Sequence, residues 1–304
     1  MLEHLAVVNW DDEVDVVCTG AGAAGLGSAL AVVELGGSVF VADPSRCEAA
    51  AMRSWLGAGV SDVETTDYFA ALAPDLGPLR RSSYDAEVPV RAVEHHHPPA
   101  ESGRTVAPFV GSRLRDWAAR CLATPYGYLY TRLPDWHSTT VQTTDGEIVE
   151  VAEIGTMTPD PDDVGGSILD WMQAQARSCD IEPTSDTTLE RIVFEEGVAI
   201  GAVFATPSGS LAIRARHGIT VASAASGPLA PSAGRLQAGA AVRIGLTGQR
   251  ASRFGRLEVL TSESLTTSVS PTCRVADRRL WVGLRESHDQ SHVWRCGKTH
   301  GDVS

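Results

Sequence analysis

Basic side chains are scarce: Lys plus Arg total 25 against 38 Asp plus Glu, a formal net charge of −13. A surface of that sign repels phosphate backbones and argues against a large nucleic-acid interface. It leaves nucleotide binding open, because backbone N–H groups hold phosphate without a cation. No apolar run approaches the ~20 residues of a membrane-spanning helix. No basic segment followed by an apolar one opens the chain, so neither a membrane span nor a signal peptide is expected. Cysteine is thin as well. Cys18, Cys47, Cys121, Cys179, Cys273 and Cys296 form no CxxC pair. Zinc ribbons and iron–sulfur clusters need denser spacing, so the expectation is reduced thiols, no metal centre and a cytoplasmic location. Glycine and proline follow no triplet period, which excludes a collagen.

What remains is enough for an ordinary globular fold. The chain has 304 residues, 43% of them hydrophobic and 21% charged. One large domain or two ordinary ones fit, and a core can form without disulfides.

The most informative stretch is near the start. Val14 to Cys18 is a short apolar run, followed by Gly20, Gly22 and Gly25 in the sequence GAGAAG. An Ala- and Leu-rich segment follows, then Ser38 to Ala42, then Asp43. The order predicts strand, glycine turn, helix, strand and acid. Gly20 permits a tight turn off the strand, Gly22 leaves room for a pyrophosphate, and Gly25 lets the helix pack closely. Ala23 and Ala24 open the helix, whose first N–H groups face the diphosphate. Asp43 lies 23 residues after Gly20, where its carboxylate accepts from ribose hydroxyls. The acid, with no basic residue at that strand end, argues against the extra phosphate of NADP. FAD and NAD both suit it.

The middle of the chain is less regular. Ala49, Met52, Trp55 and Leu56 share a helical face within residues 48–59. A short helical turn is expected over Asp67–Leu72, and loops elsewhere between residues 73 and 108. His95, His96 and His97 precede two prolines and read as a surface loop, since consecutive side chains on an extended chain diverge. Val110, Leu114, Trp117 and Cys121 follow helical spacing. Tyr126, Tyr128 and Tyr130 alternate onto one side of a strand, either lining an aromatic ligand cleft or facing the core. Asp160, Asp162 and Asp163 lack the spacing of a calcium loop and read as an acidic turn before a helix over about Val164–Ser178. Cys179 to Glu182 leads into a strand, followed by strands near Leu189–Phe194, Ala199–Phe204, Leu211–Ala215 and Gly218–Ser223.

The fingerprint at GAGAAG with Asp43, together with the helix, remote strand and hairpin between Gly165 and Gly227, resembles the fumarate reductase and 3-ketosteroid dehydrogenase flavoproteins. That resemblance implies a Rossmann-like, FAD-binding, three-layer α/β fold with an irregular insertion. It divides the chain into an N-terminal part of the dinucleotide-binding domain (1–80), an inserted or substrate-side region (81–160), the returning part (161–228) and a divergent C-terminal region (229–304). It implies an FAD-dependent oxidoreductase of an apolar, steroid-like carbonyl compound. Tyr126, Tyr128 and Tyr130 are then the candidate catalytic residues, and Gly20, Gly22, Ala23, Ala24, Gly25 and Asp43 the cofactor-binding ones. Arg132, His137 and His217 suit a dicarboxylate chemistry instead.

Two departures from the family stand out. A glycine pair expected after Asp43 is replaced by Ser45 to Ala51, and a Thr-Gly-Gly expected at a strand end reads Ser223-Ala224-Ala225. Added methyl groups there imply looser flavin retention. The alternative expectation is a non-catalytic dinucleotide-binding protein, completed by a partner chain or a second copy. An NAD-dependent Rossmann enzyme is the third.

Overall fold

A computed structural model describes residues 8–44, 56–57, 59–73, 87–93, 110–132, 138–143, 146–223, 236 and 239–261. All of them fall in the first of two units, Met1–Leu265 and Thr266–Ser304. The helix expected over 48–59, apart from Leu56, Gly57 and Gly59, lies outside the described residues. So do His95 to His97, His137, Ala49 to Ala51, and Ala224 with Ala225.

Strand β1 (Asp12–Cys18) enters between two apolar layers. Val14 and Val17 face one core and Val16 and Cys18 the other, the alternation being reset by an irregularity between Val14 and Val16. From Val14 onward the strand is buried on both faces, which is why Val14, Val16, Val17 and Cys18 are apolar; Asp12 and Glu13 are exposed, and half-buried Asp15 accepts from Ser38. Helix α1 (Ala23–Glu34) follows and is buried from Ala23 to Val32, so it too lacks a polar stripe. Strand β2 (Val39–Asp43) lies parallel to β1.

The fold is mixed α/β, with a large, mostly antiparallel sheet and few helices. Helix α2 (Val63–Leu72) precedes β3 (Val90–Ala92). Helix α3 (Val110–Ala123) leads to β4 (Gly127–Tyr130), β5 (Thr139–Gln142) and β6 (Ile148–Met157). Helix α4 (Val164–Ser178) is followed by β7 (Thr184–Ser185), β8 (Thr188–Glu195), β9 (Val198–Thr206) and β10 (Gly209–Ala222). Strands β11 (Val242–Gly248) and β12 (Phe254–Thr261) complete the sheet. Its order is β5-β6-β11-β12-β4-β10-β1-β2-β7, with β3 on β12 and the β8–β9 hairpin on β10. Among the described residues, only β10, β1, β2 and β7, and the short β3 beside β12, pair in parallel.

Among the described residues, the two largest cores lie on opposite faces of β1. One gathers α1, α4, Val16, Cys18 and the β4 tyrosines, with Leu246 and Leu257. The other gathers Phe69 of α2, Trp117 and Cys121 of α3, and Val14, Val17, Leu129 and Ile219.

Several sequence expectations shift in detail. Helix α2 starts at Val63 rather than Asp67, because Asp62 caps it by accepting from the Thr65 N–H at 2.9 Å and the Thr65 hydroxyl at 2.7 Å. The segment after α4 is first a helix stop, and the strand it leads into, β7, is the two residues Thr184–Ser185 beside β2. Asp180 takes a left-handed φ of 56°, and the Asp180 and Ile181 N–H groups return to Arg177 and Ala176 at 3.3 and 2.9 Å. Buried Ile181 seals that stop. The two strands expected over 211–223 are one strand, β10, with Gly218 at φ +147° in its middle. Its first half pairs with β9 and its last residues with β4, while β1 runs alongside. Strand β3, which falls in the stretch expected to be loops, and strands β5, β6, β11 and β12 were not expected.

Candidate functional site

The glycine turn sits at the end of β1, against the end of β10. A methyl group on Gly20 would stand 2.6 Å from the Ala222 carbonyl oxygen and 2.9 Å from the Ser223 carbonyl. One on Gly25 would overlap the Gly20 carbonyl oxygen. The two outer glycines thus let the turn lie on β10 and the helix lie on the turn. Gly22 is the N-cap of α1 at φ −70° and ψ 176°, an extended conformation open to any residue. A glycine there is therefore not demanded by the backbone angle.

The start of α1 differs from those of α2 and α4. Asp62 caps α2, and Asp163 caps α4 by accepting from the Gly166 N–H at 2.9 Å. No side chain caps α1, and its first turn has no acid. Yet Ala23 and Ala24 are buried. Buried, uncapped N–H groups cost free energy unless an acceptor reaches them, so the turn suits an anionic group carrying several oxygens. Asp43, half-buried, ends β2, and its backbone carbonyl accepts from the Thr187 N–H at 3.3 Å. Beneath the turn, burial pushes the Cys18 thiol up to about 12, so it stays protonated.

Tyr126, Tyr128 and Tyr130 share the face under α1, as alternation predicts, and all three are buried. Tyr130 lies over Gly218 and donates to the His217 carbonyl at 3.0 Å. Tyr128 lies over Gly255, its cross-strand partner. An aromatic ring laid over a glycine replaces the apolar cover that the glycine lacks. The Tyr126 hydroxyl has no hydrogen-bond partner. Burial, and then the nearby Asp163 charge, raises its pKa, leaving a neutral phenol able to donate. Arg132 and His217 are exposed.

A second polar centre was missed from the sequence. Arg91 of β3, Arg120 of α3, Arg256 and Glu258 of β12, and Glu147 before β6 converge around Trp117. Glu258 is fully buried and receives the Nε and Nη2 donors of Arg91, the latter at 2.9 Å. Arg256 donates to the same carboxylate through Nε at 2.6 Å. Glu147 accepts from Arg91 and Arg120 at 2.8 Å each and from Gln249 at 2.7 Å. Burial pushes the Glu258 carboxyl up, but Arg91 and Arg256 more than reverse it and hold it below the ordinary 4.5. Glu147 behaves alike, with burial opposed by Arg120 and Arg91. The signal available in the sequence was Arg256 and Glu258 at alternate positions of an otherwise apolar segment, FGRLEVLT.

Among the described residues, no group of three or more His, Cys, Asp or Glu side chains could hold a metal, and no helix is long and apolar enough to cross a membrane.

No family model matches the chain, and no curated protein matches it. Among solved structures it is similar to the 3-ketosteroid-delta4-(5alpha)-dehydrogenase from Rhodococcus jostii RHA1 in complex with 4-androstene-3,17-dione, at 17% identity and a TM-score of 0.29. The match covers 71% of this chain and 47% of that one. The open conformation of a flavocytochrome c3 fumarate reductase matches at 15% identity and a TM-score of 0.30, covering 68% of this chain and 33% of that chain. The amino acid oxidase NikD matches at 16% identity and 0.25, covering 66% and 50%. By name these are a dehydrogenase, a reductase and an oxidase. The chain spans a third to a half of their lengths, and likeness at these TM-scores carries no functional argument.

Proposed function

We propose that the chain binds FAD at the Gly20–Gly25 turn and acts as an oxidoreductase of an apolar, steroid-like carbonyl compound. The observation that carries the cofactor reading is the buried, uncapped start of α1, held against β10 by Gly20 and Gly25. Backbone N–H groups of Ala23, Ala24 and Gly25 receive the diphosphate, Gly22 gives it room, and the Asp43 carboxylate accepts from the ribose. Bound FAD supplies the electron acceptor. FAD is preferred to NAD because β10 returns through the β8–β9 hairpin to lie parallel to β1, and a returning hairpin is the feature by which the family resemblance favours FAD. Of the three tyrosines, Tyr126 is the one with an unpartnered hydroxyl, and it is assigned to the substrate carbonyl.

A second reading, a dinucleotide-binding protein completed by a partner chain, is favoured by the other two tyrosines. Tyr128 and Tyr130 already serve to cover Gly255 and Gly218.

Calorimetric titration of the purified full-length chain with FAD tests the cofactor assignment. Gly22→Val should abolish binding, and Asp43→Ala should weaken it about tenfold or more, the effect of losing a hydrogen bond to a charged group. Equal dissociation constants in the wild type and both variants would remove the diphosphate from this turn. Tighter binding of NAD than of FAD would redirect the cofactor. Oxidation of a ketosteroid that survives in Tyr126→Phe would remove that tyrosine from the chemistry. Binding without turnover of any carbonyl compound would favour the second reading.

A further inference from the structure

The arginine network contains a charge its own carboxylates do not consume. Among the described residues, Arg91, Arg120 and Arg256 face Glu147 and Glu258, leaving one positive charge in excess within a chain of net charge −13. All three guanidiniums lie near one ring: Arg91, Arg120 and Arg256 stand 5.8, 5.1 and 5.3 Å from the Trp117 centroid. They differ in depth. The Arg91 side chain is 9% exposed, Arg256 17% and Arg120 45%, so the cluster runs from core to solvent.

The bonding is uneven in the same direction. Arg91 spreads its donors over both oxygens of Glu258 and one oxygen of Glu147. Arg256 brings both Nε, at 2.6 Å, and Nη2, at 2.5 Å, to the single oxygen Oε1 of Glu258. Oε1 also receives Arg91 Nη2, so it is saturated. Arg120 spends one donor on Glu147. A guanidinium has five donors in a fixed fork that fits a carboxylate two at a time. The outer edges of Arg120 and Arg256 are the part of the network not matched in that way. Clamping α3 to β12 and β3 needs no more than one arginine per carboxylate, so a purely structural network does not explain the third.

We propose that this rim is a binding site for a small organic carboxylate, gripped by Arg120 and Arg256 beside the Trp117 ring. Partial desolvation strengthens such a pair, and the buried Glu258 fixes the orientation of Arg256. Arg256 pairs with Gly127, one residue from Tyr128, which itself pairs with Ala222 beside the glycine turn. The rim therefore lies level with the turn along the strand direction, on the face away from α1. The proposal does not depend on FAD binding.

The test is calorimetry of the full-length chain with sodium malonate, ionic strength held constant with sodium chloride. Saturable binding to one site per chain is expected. Arg120→Gln should weaken it about tenfold. Arg120→Lys should weaken it less, since lysine keeps the charge and loses the fork. Arg214→Gln, on the exposed Glu13 pair, should leave it unchanged. Arg120 is exposed enough that the variant should fold, which circular dichroism verifies. Absence of saturable heat, or an equal dissociation constant in Arg120→Gln, would overturn the site. Sulfate binding as tightly as malonate would overturn the carboxylate assignment.

Discussion

The two ends of the sheet solve different problems with different materials. At the parallel end, the buried parts of β1, α1 and β2 are almost entirely apolar, and the candidate chemistry rests on backbone groups exposed by glycine. At the antiparallel end, β12 carries charged side chains into the interior, and order depends on pairing them. The contrast shows where each end is vulnerable. A backbone site fails when a side chain is added, and a charged network fails when one is taken away.

The sharpest way to break the comparison is Glu258→Ala. It strands Arg91 and Arg256 without their buried counter-charge and should cost about 3–5 kcal/mol, read as a shifted urea midpoint. An unchanged midpoint would mean that the network contributes nothing net. The same pair sets a pH dependence. Glu258 and Glu147 have folded pKa values below the ordinary 4.5, so their contribution is complete above 4.5 and is lost as pH falls through the folded values. Glu258→Gln should flatten that acid slope.

At the other end, Gly25→Ala should cost about 3 kcal/mol, because its methyl meets the Gly20 backbone. Gly27→Ala, two residues later on α1, meets only side-chain ends of Leu246, Leu257 and Met172 at 3.2 Å and should cost under about 1 kcal/mol. Similar losses in the two variants would refute the assigned role of backbone contact at the turn. A smaller effect sharpens the contrast between helix starts. Asp163→Ala removes the α4 cap and should destabilise by about 1 kcal/mol in thermal unfolding, without altering FAD binding.

The same contrast governs what was legible in the sequence. The β1–α1–β2 unit was readable because its buried stretches are short apolar runs, broken in β1 only by Asp15 and punctuated by glycines. Helices α3 and α4 were readable from their spacing. Strands β11 and β12 were not, since Gly245, Gly248, Arg256 and Glu258 interrupt any simple alternation. Arg216, His217 and Gly218 likewise made β10 look like two strands. The stop after α4 was hidden because Asp180 occupies a left-handed position where glycine is the usual signal. The glycine turn was visible as a local motif. The arginine network was not, because its members come from separate stretches around residues 91, 120, 147 and 256, and only folding brings them together.

The pairing of β1 with β10 has a consequence for how the chain is made. The Ala212 N–H bonds to Asp11, 201 positions earlier, and Cys18 sits opposite Thr220. A ribosome working at ~5–20 residues per second takes roughly 10–40 s to pass from the first partner to the second. Through that interval β1, whose Val14, Val16, Val17 and Cys18 are buried in the finished fold, has one edge bare. Contacts so distant also slow the final closure, because the loop entropy must be met before the pair forms. The nascent chain is therefore a natural client for a chaperone that holds exposed strands, and fast expression at high temperature should drive it into aggregates before β10 has left the ribosome.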